Sequence, residues 1–236
     1  MPMPAEPPPT DHAALMDRVY RRQRYVYDFT RKYYLFGRDR LIGELALKPG
    51  DRLVEIGCGT ARNLVRIARL YPGAELYGLD ASQEMLKSAA ESVAHAGLEG
   101  RVRLIHGYAE DLSPALFGDN RPFDRAVFSY SLSMIPDWRR ALAAAGDALS
   151  DAGKVHAVDF GDLSGLGRLG ASCLRAWLAL FHVKPRVEIL QGVERMTPGG
   201  RPGQGELWVS PARYAFLWTP SKTRALAFAT ADVADR

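Results

Sequence analysis

The chain has 236 residues, of which 47% are hydrophobic and 25% are charged, and its net charge at pH 7 is +4. This composition is typical of a globular protein that is long enough to bury a core, and it excludes fibrous and largely disordered classes. No apolar run reaches the roughly 18 residues of a membrane-spanning helix, and two cysteines are too few for a disulfide framework. We therefore expect a cytoplasmic protein.

The N-terminal part differs from the rest of the chain. Residues 1–10 are rich in proline and are expected to form a disordered lead. Residues 11–47 are predicted to form a helical lid of two helices, separated at Gly37. Between Arg18 and Arg40 the sequence has eight Arg or Lys residues and two acidic residues. Such a basic segment suits a nucleic acid, an anionic lipid or an anionic small substrate, and it also fits a solvated helix face.

Strand and helix patterns alternate from residue 48 onward. Strands are predicted at RLVEIG, AELYGLD, RVRLIHG, FDRAVFSY and GKVHAVDF, and helices at TARNLVRIARLY, SQEMLKSAAESVAHAG and DWRRALAAAGDALS. This rhythm predicts an α/β fold, with a Rossmann-like, doubly wound and mostly parallel sheet. GELWVS and ARYAFLWT then predict a closing hairpin. We expect one seven-stranded domain over residues 48–236.

The loop VEIGCGTARN, residues 54–63, follows the first predicted strand and has the features of a nucleotide site. Gly57 and Gly59 allow a sharp turn and a close approach to a ligand, and a helix N-terminus follows. Asp80 ends the second predicted strand, where a carboxylate can accept both hydroxyls of a ribose. A Gly-x-Gly pair alone is a weak signal, but within this βαβ frame it predicts an adenosine ligand.

The same loop argues against a dinucleotide. The dinucleotide pattern has a third small residue where this chain has Arg62, and the carboxylate of Glu55 would repel a pyrophosphate. A cationic ligand would be attracted instead, and S-adenosylmethionine carries both a sulfonium and an ammonium group. We therefore predict S-adenosylmethionine as the cofactor, and we expect no metal.

These motifs resemble those of the class I S-adenosylmethionine-dependent methyltransferases. The resemblance is carried by Glu55-x-Gly57-x-Gly59, LDAS (79–82) and HGYAEDL (106–112), with Ala61 in place of the usual third glycine. It implies that Asp80 holds the ribose and that the methionine end lies on Gly57, Cys58, Gly59 and Thr60. It also implies an adenine site formed by Ala81, Met85, Tyr108, Ala109 and Glu110. The remaining expected cofactor contacts are Glu55, Asn63 and Ser129.

A finer resemblance covers most of residues 11–185. The segments HAALMDRVYRRQRYVYDFTRKYYLFGRDRLI, EIGCGTARNL, SYSLSMIPDW and VDFG followed by RAWLALFHVKPR are similar to the bacterial betaine-lipid N-methyltransferases. Members of that family trimethylate the amine of diacylglyceryl-homoserine, which gives diacylglyceryl-N,N,N-trimethylhomoserine. The resemblance implies a lipid substrate at the membrane surface. It also implies peripheral association with the inner face of the membrane, with the basic residues on anionic phospholipid.

The residue chemistry agrees with such an acceptor. Aromatic faces stabilise a methylated ammonium by about 0.5–2 kcal/mol each, and an arginine can hold a carboxylate with two hydrogen bonds. We expect the substrate to contact Tyr25, Arg31, Lys32, Tyr34 and, less strongly supported, His182. The catalytic candidates are Tyr130, which could accept a hydrogen bond from the amine, Tyr27 and, as a weaker candidate, Asp159.

Two alternatives stay open. A methyltransferase of the same fold could act on another amine, such as phosphatidylethanolamine or a soluble amine, and only an acceptor with a carboxylate should need Arg31 or its neighbour. A nucleic-acid-binding module that uses the basic helix is disfavoured, because the basic run is rich in tyrosine and no RNA-binding fold accompanies it. We therefore expect no nucleic-acid partner, and the oligomeric state is left open.

Overall fold

The computed structural model of the chain describes residues 35–179, 183, 185–197 and 206–231. The predicted lead and the first lid helix lie outside the described residues. The same holds for six of the expected site residues, namely Tyr25, Tyr27, Arg31, Lys32, Tyr34 and His182. Their predicted roles stay predictions.

A seven-stranded sheet lies at the centre of the fold. Its strands are β1 (Arg52–Ile56), β2 (Glu75–Asp80), β3 (Val102–His106), β4 (Phe123–Ser129), β5 (Leu149–Phe160), β6 (Leu207–Val209) and β7 (Ala215–Trp218). They are arranged in the order β3-β2-β1-β4-β5-β7-β6. β1 to β5 are parallel, whereas β7 is antiparallel to both β5 and β6. The predicted doubly wound sheet and its closing hairpin are confirmed.

Helices accompany the strands along the chain. They are α1 (Arg38–Glu44), α2 (Arg62–Leu70), α3 (Gln83–His95), α4 (Trp138–Asp147), α5 (Gly167–Ala179), α6 (Val187–Met196) and α7 (Lys222–Thr230). Three begin at capping side chains, because Ser82, Asp137 and Ser221 each accept the backbone N–H three residues further on. α1 to α4 lie where the sequence predicts helices, whereas α5, α6 and α7 are not among the predicted elements. No helix within the described ranges is long and apolar enough to cross a membrane.

The core forms one apolar layer on each face of the sheet. Ala126 and Phe128 belong to one layer and Val127 to the other, as the alternation of side chains along a strand requires. Both layers cover the middle of the sheet, so β1 and β4 are buried along most of their length. The carboxyl ends of the parallel strands are left as the edge on which loops can form a site.

His156 is an ionisable residue inside this core. It lies in β5 and is 2% exposed, and within the described structure neither ring nitrogen has a hydrogen-bond partner. Burial, with the nearby charges of Arg125 and Lys154, lowers the pKa of the imidazole to about 3. The ring is therefore neutral at physiological pH.

We predict that His156 makes the fold sensitive to acid. An unfolded histidine has a pKa of about 6.5 and takes up a proton below that pH, whereas the folded ring stays neutral down to about pH 3. The free energy of unfolding should therefore fall by about 2 kcal/mol between pH 7 and pH 5 through this residue. His156→Leu should remove that loss, as measured by urea denaturation at both pH values.

Other groups titrate in the same range, so the readout is the difference between wild type and variant. His95→Leu, at an exposed position, controls for the loss of a histidine. Equal pH dependence in His156→Leu and in the wild-type protein would contradict a buried neutral ring.

Candidate active site

The loop after β1 turns sharply in a conformation that requires glycine. Gly57 and Gly59 have φ values of +72° and +54°, in the left-handed region. A Cβ atom on Gly57 would also lie 2.7 Å from the Cβ of Ser131. The turn ends at Ala61, which itself has φ +58° and precedes α2. The two glycines are thus needed where the sequence predicts them.

Asp80 connects this loop to the loop that follows β2. One carboxylate oxygen accepts the backbone N–H of Gly59 at 2.8 Å, and the other accepts that of Ser82 at 2.9 Å. A carboxylate oxygen can accept more than one hydrogen bond, so the group can hold these loops and still meet the hydroxyls of a ribose. Its position fits the role that the sequence predicts.

Glu55 gives the site a second carboxylate. It is 1% exposed, and one of its oxygens accepts the side-chain N–H of Asn63 at 2.7 Å.

Burial, followed by the charges of Asp80 and Glu55, raises the pKa of the Cys58 thiol well above its usual range. Cys58 is therefore a neutral packing residue rather than a nucleophile, and the negative charge that surrounds it favours a cationic ligand.

Two cavities open on the carboxyl edge of the sheet. The first, which we call the β2-side cavity, has a volume of about 350 Å³, within the range of small-molecule sites. Its lining includes the predicted cofactor residues Gly57, Gly59, Asp80, Ala81, Tyr108, Ala109 and Glu110, and also Tyr130. The second, the α1-side cavity, has a volume of about 980 Å³. Its lining includes Glu55, Gly57, Cys58, Gly59, Thr60, Asn63, Ser129 and Phe36.

Met85 is the expected cofactor residue that departs from this arrangement. It is 2% exposed, and its backbone N–H donates to the hydroxyl of Ser82 at 3.2 Å. Met85 is not among the described residues that line the two cavities. The side chain is buried in the first turn of α3 and does not form part of the cavity wall, unlike the other expected adenine contacts.

The end of β4 and the loop after it border both cavities, since Ser129 lines the α1-side cavity and Tyr130 the β2-side cavity. Tyr130 has φ +58°, which is uncommon for a residue other than glycine. Its hydroxyl donates to the backbone carbonyl of Phe36 at 2.6 Å, and the hydroxyl of Ser131 donates to the carbonyl of Ile56 at 2.7 Å. The loop is thereby joined both to the segment before α1 and to the end of β1.

Asp159, one of the catalytic candidates, is buried behind the loop after β4 and does not form part of either cavity wall. It is 2% exposed, and its carboxylate accepts the backbone N–H groups of Ser133 and Phe160 at 2.9 and 2.8 Å. Burial raises its pKa to about 6, although both hydrogen bonds act in the opposite direction. Asp159 is not among the described residues that line the two cavities. It is a positioning residue that ties the loop after β4 to the end of β5.

Tyr130 is one of four aromatic rings that pack together, of which Tyr130 and Phe160 are buried. The Tyr130 ring lies 4.7 Å from that of Phe160, Phe160 lies 5.9 Å from Tyr214, and Tyr214 lies 5.2 Å from Phe36. We call this set the aromatic cluster. Sequence reasoning identified Tyr130 alone, because the other three rings come from segments far apart in the chain. Phe36 lines the α1-side cavity and Tyr130 the β2-side cavity, so the cluster reaches both.

Comparison with known proteins shows which family this part of the chain is similar to. A family model described as "Methyltransferase domain" matches residues 53–153, which include the glycine turn, Asp80 and β4. Residues 53–153 are thus similar to a methyltransferase domain. S-adenosylmethionine is the methyl donor of this class of domain, which confirms the predicted cofactor. The two carboxylates at the carboxyl edge fit it, since its ribose carries two hydroxyls and its methionine end carries an ammonium group.

Two curated relatives of the chain are also methyltransferases by name. The chain is 36% identical over 124 residues to the demethylmenaquinone methyltransferase of Geobacillus kaustophilus, which is 52% of this chain and 50% of that protein. It is 29% identical over 185 residues to the ubiquinone/menaquinone biosynthesis C-methyltransferase UbiE of Syntrophotalea carbinolica, which is 76% and 72% of the two chains. The chain thus spans about half the length of the first relative. Both are named for quinone methylation and neither for betaine-lipid synthesis.

The fold is also similar to that of the S-adenosylmethionine-dependent methyltransferase SibL. The TM-score is 0.59 at 21% sequence identity, over 83% of this chain and 57% of that one. This likeness confirms the fold of the methyltransferase domain.

We predict that Asp80→Ala weakens the binding of S-adenosylmethionine by at least tenfold in isothermal titration calorimetry. The change removes the acceptors of two backbone N–H groups as well as the charge, and each charged hydrogen bond contributes about 1.5–3 kcal/mol. Asp151→Ala, at an exposed carboxylate near Lys222, should leave the affinity unchanged. Near-normal affinity in Asp80→Ala would argue against this site.

Proposed function

We propose that the chain transfers methyl groups from S-adenosylmethionine to the amine of a lipid headgroup, with diacylglyceryl-homoserine as the acceptor. The proposal draws on the resemblance of residues 11–185 to the betaine-lipid N-methyltransferases. The protein would then act at the inner face of the membrane. The observation that carries the proposal within the described structure is the aromatic cluster at the edge of both cavities.

The aromatic cluster suits an acceptor that becomes a permanent cation. Each methyl transfer brings the headgroup nitrogen closer to a quaternary ammonium, which is attracted to the faces of aromatic rings. Phenylalanine and neutral tyrosine rings do so without competing with the amine for the methyl group. Glu55 and Asp80 add a negative field from the neighbouring carboxyl ends of β1 and β2.

The chain itself has mainly to align the acceptor. When bound, S-adenosylmethionine supplies a methyl group that its sulfonium already activates, so alignment can provide much of the rate enhancement. The acceptor must present an uncharged amine with its lone pair toward that methyl group. Because the Tyr130 hydroxyl already donates to the carbonyl of Phe36, it can meet an amine N–H only as an acceptor. Tyr130 is 2% exposed, so it can orient the amine only where its buried side chain borders the β2-side cavity.

Methylation of a quinol ring is the second candidate function. It is favoured by the names of the two relatives, and an aromatic wall could also stack on a quinol. A ring carbon, however, must lose a proton when it is methylated, which calls for a base. Asp159, a buried carboxylate bonded to the loop after β4, does not line either cavity within the described structure. An amine acceptor also gives up a proton before each transfer, but solvent water can take that proton.

The experiment that separates the candidates is lipid mass spectrometry. Purified protein is incubated with S-adenosylmethionine and vesicles that contain diacylglyceryl-homoserine, with phosphatidylethanolamine in the same vesicles and a demethylmenaquinol in a parallel set. We expect one to three methyl groups on the homoserine lipid and none on the others. Methylation of the quinol alone would establish the second candidate, and methylation of phosphatidylethanolamine alone would show that the acceptor headgroup is misassigned.

We further predict that Tyr130→Phe lowers kcat about tenfold and changes the affinity for S-adenosylmethionine by less than twofold. The variant keeps the ring but loses the hydroxyl that orients the amine, and one hydrogen bond contributes about 0.5–1.5 kcal/mol. Tyr71→Phe is the matched control, since its hydroxyl also donates to a backbone carbonyl, that of Ile42 at 2.9 Å. Equal turnover in the two variants would contradict a role of Tyr130 in catalysis.

A further inference from the structure

α5 has apolar residues on two opposite faces. On the inner face, Ala171 and Leu178 are buried, and Leu178 belongs to a core layer of the sheet. On the other face, Leu169, Cys173 and Ala176 are exposed at spacings of four and three positions, which places them on one side of the helix, and the exposed Leu166 lies in the turn just before it. We call them the outer stripe, which consists of Leu166, Leu169, Cys173 and Ala176. Leu169 is 85% exposed, the highest value among the large apolar side chains of the described residues.

The sequence around the outer stripe is basic. It has no acidic residue between Asp162 and Glu188, whereas it has four basic ones, namely Arg168, Arg175, Lys184 and Arg186. Arg168 and Arg175 are seven positions apart, so they lie on the same flank of α5. Arg175 also donates to the backbone carbonyl of Asp162 at 3.3 Å. An exposed apolar stripe flanked by arginines is typical of helices that lie in the membrane interface.

The outer stripe begins beside the aromatic cluster. The turn that precedes α5 packs closely on residues 211–213, because a Cβ atom on Gly165 would lie 2.5 Å from the Cα of Ala212. The next residue after this segment is Tyr214, whose ring contacts that of Phe36. Phe36 is 57% exposed and lines the α1-side cavity. The apolar surface of α5 and the mouth of the cavity therefore lie on neighbouring parts of the protein.

We propose that α5 docks the protein on an anionic phospholipid surface. The outer stripe inserts between the lipid headgroups, and Arg168 and Arg175 pair with lipid phosphates. The choice of a bilayer over another protein rests on the match between a basic, acid-free segment and an anionic surface. The inference rests on the proposed function only for the purpose of the docking. If the acceptor is a lipid, docking lets it reach the cavity without leaving the bilayer.

The test is co-sedimentation with vesicles that contain no acceptor lipid, so that its outcome is independent of methyl transfer. Wild-type protein should bind vesicles of phosphatidylcholine of which about one third is the anionic lipid phosphatidylglycerol. Leu169→Glu should lower the partition coefficient at least tenfold. Leu70→Glu is the matched control, because Leu70 is 56% exposed at the end of α2, and it should bind as the wild type does. Thermal melts followed by circular dichroism check that both variants are folded.

The arginines provide a second readout. Arg168→Gln and Arg175→Gln should each lower binding to the anionic vesicles about fivefold and leave binding to pure phosphatidylcholine unchanged. The proposal is overturned if the wild type does not bind anionic vesicles, or if Leu169→Glu binds as tightly as Leu70→Glu. It is also overturned if sedimentation equilibrium shows a wild-type dimer that Leu169→Glu dissociates, since the stripe would then join two copies of the chain. Vesicle binding without methylation of any lipid would leave α5 as a docking helix and refute only the proposed function.

Discussion

The carboxylate of Asp80 joins the loops that follow β1 and β2, because its two oxygens accept the backbone N–H groups of Gly59 and Ser82. Parallel strands end at the same edge of a sheet, so this one side chain fixes the glycine turn relative to the wall of the β2-side cavity. The turn itself is possible because Gly57 has no side chain to meet Ser131. The cofactor side of the protein depends on this pair of constraints.

The loop after β4 is held in a similar way. Ser131 bonds to the end of β1, Ser133 to Asp159 at the end of β5, and Tyr130 to the carbonyl of Phe36. The left-handed backbone of Tyr130 costs about 1–3 kcal/mol, and the surrounding contacts offset that cost. The aromatic cluster and the cofactor site therefore share one edge of the sheet. If α5 docks on a bilayer, the same edge also receives the acceptor.

The sequence was informative where the signals are local. The strands up to Phe160 alternate with helices along the sequence, and the glycine turn with Asp80 could be identified from residue chemistry alone. α5 could not be found by a search for one apolar face, because its outer stripe adds a second. The aromatic cluster could not be predicted either, since the antiparallel pairing of β5 with β7 brings Phe160 and Tyr214 together. Likewise, Asp159 is a weaker catalytic candidate in the sequence because it ends the fifth predicted strand, and its hydrogen bond to Ser133 is not visible there.

A crystal structure of the protein with S-adenosylhomocysteine would test the central claim most directly. The account predicts that the ribose hydroxyls lie within hydrogen-bonding distance of the Asp80 carboxylate. The amino-acid end should lie over Gly57 near Glu55, with the sulfur toward Tyr130. A nucleoside bound elsewhere, or a ribose held by groups other than Asp80, would contradict it.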